Sequence, residues 1–123
     1  MTLIAIIDDD EDVREATADL VATFGYTTCT YSSAEQFLAS ERMVETSCII
    51  TDLHMPGVDG LELQEQLQAV GNQTPFIFIT AFPKDEARSR ALKVGAVAFL
   101  AKPFQEASLI NSLKLALKEP SAR

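Results

Sequence analysis

Short apolar runs recur along the chain at residues 3–7, 48–50, 76–79 and 97–100, and between them the apolar positions change to a helical spacing. The runs are apolar at both alternate positions, which suits strands covered by helices on both faces, as in a parallel sheet. Val13, Ala16, Thr17, Leu20, Val21 and Phe24 fall at i, i+3, i+4, i+7, i+8 and i+11, and Leu109, Ile110, Leu113 and Leu117 make a similar stripe further on. Residues 27–31, TTCTY, are the most polar strand candidate, which fits a sheet edge. In SSAEQFL, residues 32–38, Ser33 and Gln36 have capping-box spacing and open a short helix. Residues 61–70 and 84–94 supply the remaining helices, with Gly71 and Gly95 as their stops. Strand and helix alternate through five units, which predicts an α/β domain: a doubly wound five-stranded parallel sheet with five helices. No linker, repeat or low-complexity stretch interrupts residues 1–118, and residues 119–123 read as a frayed tail or the start of a linker.

Composition narrows the function classes. With 123 residues, 47% of them hydrophobic, the chain is long enough for one domain with a full core and too short for two. A formal net charge of −8 repels a phosphate backbone, so direct nucleic-acid binding is disfavoured. The charge is unevenly spread: residues 8–19 hold seven acids against Arg14, whereas residues 84–94 hold four bases against Asp85 and Glu86. A basic helix on so acidic a protein fits a docking surface, or else a solvated face. Cys29 and Cys48 have no CxxC spacing and no third ligand type beside them, and are expected to be reduced core residues. No cleavable leader pattern and no apolar segment of membrane-spanning length occurs, so a cytoplasmic protein without membrane contact is expected.

In a doubly wound sheet, ligands and reactive groups gather beyond the carboxyl ends of the strands. Here strand one runs into Asp8, Asp9 and Asp10, strand three ends at Thr51 and Asp52, strand four at Thr80, and strand five near Lys102. Carboxylates crowded in one cleft repel each other unless a cation lies between them. An all-oxygen donor set favours Mg²⁺, which accepts one or two carboxylates and keeps several waters. An Asp carboxylate can also attack phosphorus to form an acyl phosphate. Phosphoryl transfer then needs the transferred oxygens neutralised, by a metal, an ammonium or a hydroxyl. That chemistry makes Asp52 the nucleophile, the acidic pair the metal site, and Lys102 and Thr80 the groups on the phosphoryl oxygens. A strand end is the most rigid place to hold such a nucleophile.

The segments IIDDDEDVR, IITDLHMPGVDGLEL, FIFITA and GAVAFLAKPF, in this order and spacing, resemble the receiver domain of bacterial two-component response regulators over essentially the whole chain. A DD pair or a KPF alone is weak; the four segments together are highly specific. TDLHMPG with GAVAFLAKPF is most similar to the receivers of FixJ-type transcription factors. The resemblance implies the flavodoxin-like strand order 2-1-3-4-5 and a receiver spanning residues 1–118. It also implies a signalling switch, not a turnover enzyme, that takes a phosphoryl group from a histidine kinase or phosphotransfer protein onto Asp52. Asp8, Asp9, Asp52 and the backbone carbonyl of His54 become ligands of a Mg²⁺ cofactor. Thr80 and Phe99 become the switch pair, Ala81 the small neighbour that leaves room, and Lys102 the cationic clamp, its peptide to Pro103 cis. His54 and Phe82 occupy the places that tune how fast water reaches the phosphoryl group, and Pro83 beside them is unusual. The implied output is a changed helix 4/strand 5/helix 5 face that acts on an output domain or partner protein, or forms a phosphorylation-dependent homodimer.

Blander roles stand beside these. Asp10, Glu11 and Asp12 fit a solvated acidic loop capping a helix. His54 fits a solvent-facing loop, Phe99 plain strand core, and Gly57 and Gly60 turn positions. An aspartate-nucleophile phosphohydrolase commonly carries a second Asp two residues on, where this chain has His54. A flavin-binding domain of similar architecture would need a hydroxyl- and glycine-rich phosphate loop after strand one, where five acids stand instead. A docking module that is never phosphorylated would not need the complete residue set.

Overall fold

The computed structural model describes residues 2–81 and 84–118; Phe82, Pro83 and the tail at 119–123 lie outside the described residues. Strands and helices alternate as β1 (Leu3–Ile7), α1 (Glu11–Thr23), β2 (Thr27–Tyr31), α2 (Ala34–Leu38), β3 (Thr46–Asp52), α3 (Gly60–Ala69), β4 (Phe76–Thr80), α4 (Asp85–Lys93), β5 (Ala98–Ala101) and α5 (Glu106–Ala116). The sheet has the order β2-β1-β3-β4-β5 and every pair in it is parallel. This is the doubly wound fold that the alternating apolar runs predict.

Successive side chains on a strand point to opposite faces, so the sheet divides the core in two. Ala5, Ile7, Ile49, Phe76 and Phe78 pack with Phe37, Leu63, Leu67 and Ala91 of α2, α3 and α4. Ile4, Ile6, Cys48, Ile50, Ile77 and Ile79 pack with Val21, Leu109 and Leu113 of α1 and α5. A strand under two helical layers has no solvent face, and accordingly every residue of β1 and β4 is buried. Each such Ile or Phe contributes roughly 1.5–3 kcal/mol relative to an exposed one, which makes the sheet centre a stiff platform for whatever follows its strands.

Several local features depart from the apolar pattern. Phe24, placed on the α1 stripe by spacing, is instead the C-cap residue and 49% exposed, because the helix ends one residue before it. The Ser33 hydroxyl accepts from the Gln36 N–H at 3.0 Å, but the Gln36 carboxamide reaches back to Ser32 N–H at 2.7 Å, so the expected box is displaced by one residue. A 3₁₀ turn at Glu41–Glu45, capped by the Ser40 hydroxyl, precedes β3 in a stretch with no apolar stripe to reveal it. Gly71 and Gly95 follow the ends of α3 and α4 at φ of +79° and +104°, as expected of stops. Gly60 is not a turn residue: it is the first, buried residue of α3, and a Cβ there would stand 2.7 Å from the Asp52 carbonyl oxygen. Only glycine lets this helix start against the end of β3.

Candidate functional site

Parallel register brings the strand-end residues to one level. Ile7 pairs with Thr51, so Asp8 emerges beside Asp52. Asp52 pairs with Ile79, which puts Thr80 one step further along β4, and Thr80 pairs with Ala101, so Lys102 follows directly. Asp8, Asp52 and Thr80 are buried, whereas Asp9 is exposed.

Lys102 joins the two buried acids. Its Nζ lies 2.8 Å from Asp52 Oδ2 and 3.1 Å from Asp8 Oδ2. The second oxygen of each carboxylate is oriented by its own loop, where Asp10 N–H donates to Asp8 Oδ1 at 2.9 Å and His54 N–H donates to Asp52 Oδ1 at 3.0 Å. One backbone N–H and one shared ammonium therefore fix each rotamer, while ionised carboxylates keep further acceptor capacity. Burial pushes the Asp8 carboxyl above its ordinary value, against the hydrogen bonds from Asp10 and Lys102 that act to lower it. For Lys102, burial acts to lower the ammonium's pKa, but the hydrogen bonds and charges of Asp52 and Asp8 outweigh it and the net shift is upward. The lysine thus stays protonated at neutral pH, as a clamp for an anion requires.

The loops around this centre are tied from outside it. Arg14 Nη1 donates to the Asp8 carbonyl at 2.8 Å, closing the turn between β1 and α1. Asp10 accepts from the N–H groups of Asp12 and Val13 and so caps α1, the blander of its two roles. Beyond Asp52, Glu35 of α2 accepts from Val58 N–H at 3.3 Å, and Gly60 N–H donates to the Leu53 carbonyl at 3.1 Å. Asp59 and Glu62 form a full capping box on α3, at 2.9 and 3.2 Å. Sequence reasoning assigns no role to Arg14, Glu35 or Asp59. The D-x-x-E spacing of Asp59 and Glu62 is a legible signal for the last of these, whereas the other two act through contacts that no local spacing encodes.

The remaining candidates fall as follows. Asp8, Asp9 and Asp52 each offer a carboxylate oxygen, and these atoms lie within 4.8 Å of one another. Such a set of hard oxygen donors fits a hard divalent cation of the Mg²⁺ class and is unsuited to a soft metal. His54 is exposed, and Thr80 closes β4, its carbonyl accepting from Lys102 N–H at 2.8 Å. The Lys102–Pro103 peptide is cis. Phe99 is half-buried, its ring centroid 6.5 Å from that of Phe78, and it lines a small cleft with Lys84, Arg88 and Ala101. On α4, Arg90 is engaged by Glu65 of α3 at 3.0 and 3.1 Å, so the basic helix is partly neutralised by its neighbour. Phe82, the other lifetime-tuning candidate, lies outside the described residues.

Comparison with known proteins extends this geometry. A family model for the response regulator receiver domain matches residues 4–114. Response regulator protein TodT of Pseudomonas putida is 39% identical over 117 residues, which cover 95% of this chain and 52% of TodT. Transcriptional regulatory protein FixJ of Azorhizobium caulinodans is 37% identical over 114 residues, 93% of this chain and 54% of FixJ. The chain thus spans about half the length of these curated relatives. Among solved structures, FixJ-N superposes with a TM-score of 0.86 at 31% identity, covering 100% of this chain and 98% of that one. Response regulator StyR superposes with a TM-score of 0.88 at 38% identity, covering 95% of this chain and 59% of that one. Among the described residues no helix is long and apolar enough to cross a membrane. With the family match running nearly end to end and the acids and lysine meeting where the fold gathers reactive groups, the chain belongs to the response regulator receiver domains, the phosphorylation-dependent switches of two-component signalling.

Proposed function

We propose that Asp52 accepts a phosphoryl group from the phosphohistidine of a histidine kinase or phosphotransfer protein, and that the modified residue reshapes the α4–β5–α5 face to control an output partner. The observation that carries this is the Lys102 ammonium held between Asp52 and Asp8 at the stiff end of β3. An Asp52 carboxylate oxygen attacks phosphorus; the new O–P bond forms as the donor's N–P bond breaks, and the imidazole leaves with that electron pair. Lys102 Nζ, already 2.8 Å from Asp52 Oδ2, has only to turn onto a phosphoryl oxygen to neutralise it. Asp8, Asp9, Asp52 and the His54 backbone carbonyl are the groups that hold Mg²⁺, which when bound supplies further positive charge to the phosphoryl oxygens.

The Thr80 hydroxyl moves to a phosphoryl oxygen, for which Ala81 leaves room, and Phe99 turns into the space vacated. This is a two-state element biased by a local charge. Helix α4 suits it, since Ala91 alone among its residues is buried and its N-cap residue Lys84 makes no side-chain capping bond. Repositioning so lightly anchored an element disturbs little core. His54 and Phe82 control the access of water and hence the lifetime of the acyl phosphate. The domain is modified and slowly reset, and does not turn over substrate. FixJ is named a transcriptional regulator and this chain covers 54% of it, so the output proposed is a transcription-controlling domain or partner.

Incubation with Mg²⁺ and acetyl phosphate or phosphoramidate tests the reading. Intact-mass spectrometry is expected to show one added phosphoryl group, lost in Asp52→Asn and strongly reduced in Lys102→Ala. Persistent single-site labelling of Asp52→Asn would overturn it.

A further inference from the structure

Asp9 is the least restrained member of the acid cluster. Asp8 and Asp52 are buried, and each is oriented by a backbone N–H and by Lys102, whereas Asp9 is exposed and has neither contact among the described residues. Its carboxylate nevertheless lies within 4.8 Å of the other two. With no such partner on the carboxylate, the backbone that carries Asp9 decides where it points. Arg14 grips that backbone on both sides. Its main-chain N–H donates to the Asp10 carbonyl at 2.9 Å, in the first turn of α1. Its guanidinium reaches back to the preceding strand end, where Nη1 donates to the Asp8 carbonyl at 2.8 Å. Asp8 is buried, so its carbonyl needs a partner within the protein, and among the described residues that donor is Arg14. The peptide unit is planar, so holding the Asp8 carbonyl also fixes the Cα of Asp9, from which the side chain departs.

We propose that Arg14 is a positioning residue for the Mg²⁺ site, directing the Asp9 carboxylate through the Asp8 peptide. The inference rests on the reading of Asp8, Asp9 and Asp52 as the acids that hold the metal. A guanidinium carries its donors at the end of a long arm and stays protonated, which suits it to this reach. Charge by itself would give Arg14 the opposite role, because a cation beside the acids repels an incoming divalent ion. The two effects therefore differ in sign when Arg14 is replaced. Positioning is the larger, since Arg14 is half-buried and solvent screens its charge, whereas a misdirected carboxylate removes a ligand from the metal.

Equilibrium titration of the full chain with Mg²⁺, followed by ¹H–¹⁵N NMR at the amides of Asp9 and Asp10 with no phosphodonor present, tests the inference. Arg14→Gln is expected to weaken Mg²⁺ binding about tenfold, and Arg14→Lys, which keeps the charge on a shorter arm, about threefold. In an Asp9→Asn background, Arg14→Gln should weaken binding little further, because the carboxylate it directs is already gone. Unchanged or tighter binding in Arg14→Gln, or a full tenfold loss in the Asp9→Asn background, overturns the positioning role and leaves the acid site standing. A parent chain that binds no Mg²⁺ overturns both. If Arg14→Gln fails to fold, Arg14→Lys decides the matter, and a parent-like affinity in that variant contradicts the inference.

Discussion

Lys102 stands between two carboxylates that follow different strands, and its position sets what each can do. Removing one of two opposed acids frees the ammonium for the other, whereas removing the ammonium leaves two buried like charges side by side, the costlier change. Elsewhere in the core, a single thiol gives a pH signature. Burial pushes the Cys48 thiol up from 9.0 to about 12. Its folded value exceeds the unfolded one, so the stability that the neutral thiol contributes is complete below pH 9.0 and is lost as pH climbs toward about 12. Cys48→Ala, destabilised near neutral pH by the lost packing, should therefore recover relative to the parent as the pH rises above 9.0, by up to roughly 1.4 kcal/mol per pH unit. Urea unfolding at about pH 7 and about pH 10.5 measures this; a pH-independent difference contradicts it.

Among the elements, α3 and β3 make the closest approach that matters for the site. A methyl group at Gly60 would press on the Asp52 carbonyl oxygen from 2.7 Å and on the Phe78 ring from 3.0 Å. Gly60→Ala is expected to cost about 1–3 kcal/mol in chemical denaturation. It should also slow labelling of Asp52, since the strand end is what yields. Unchanged stability together with an unchanged labelling rate would contradict this contact. The position also marks what sequence conveys. The apolar runs of β1 and β4 and the α5 stripe are legible because burial on a fixed face imposes a period. Asp8, Asp52, Thr80 and Lys102 are legible because a doubly wound sheet gathers chemistry at one set of strand ends. Gly60, Arg14 and Glu35 are not, since their roles depend on how closely segments distant in sequence come together. Phe24 misleads for a related reason: a stripe carries no sign of where its helix stops, and Phe24 falls just past the end of α1.

Over the whole molecule, charge is polarised as the sequence indicates, with the acids concentrated in the β1–α1 turn and α1 and the bases on α4. The Arg90–Glu65 pair is exposed on both sides and holds α4 only weakly, and in the function proposed above Lys84 and Arg88 beside Phe99 are the residues that carry the face toward a partner. Sedimentation velocity with a beryllofluoride phosphoryl mimic should show self-association absent from the unmodified chain and weakened by Phe99→Ala or Arg88→Glu. An unaltered oligomeric state, with unaltered hydrogen exchange across residues 84–103, would contradict that output. All of this depends on where the phosphoryl group goes, and three acids lie close enough to compete for it. Borohydride reduces an acyl phosphate to an alcohol, so after reaction with acetyl phosphate and Mg²⁺ the modified aspartate becomes homoserine, which tandem mass spectrometry locates. Homoserine at position 52 alone, and none when Mg²⁺ is withheld, is the predicted result; homoserine at position 8 or 9 in its place, or at none of the three, would contradict the assignment of Asp52.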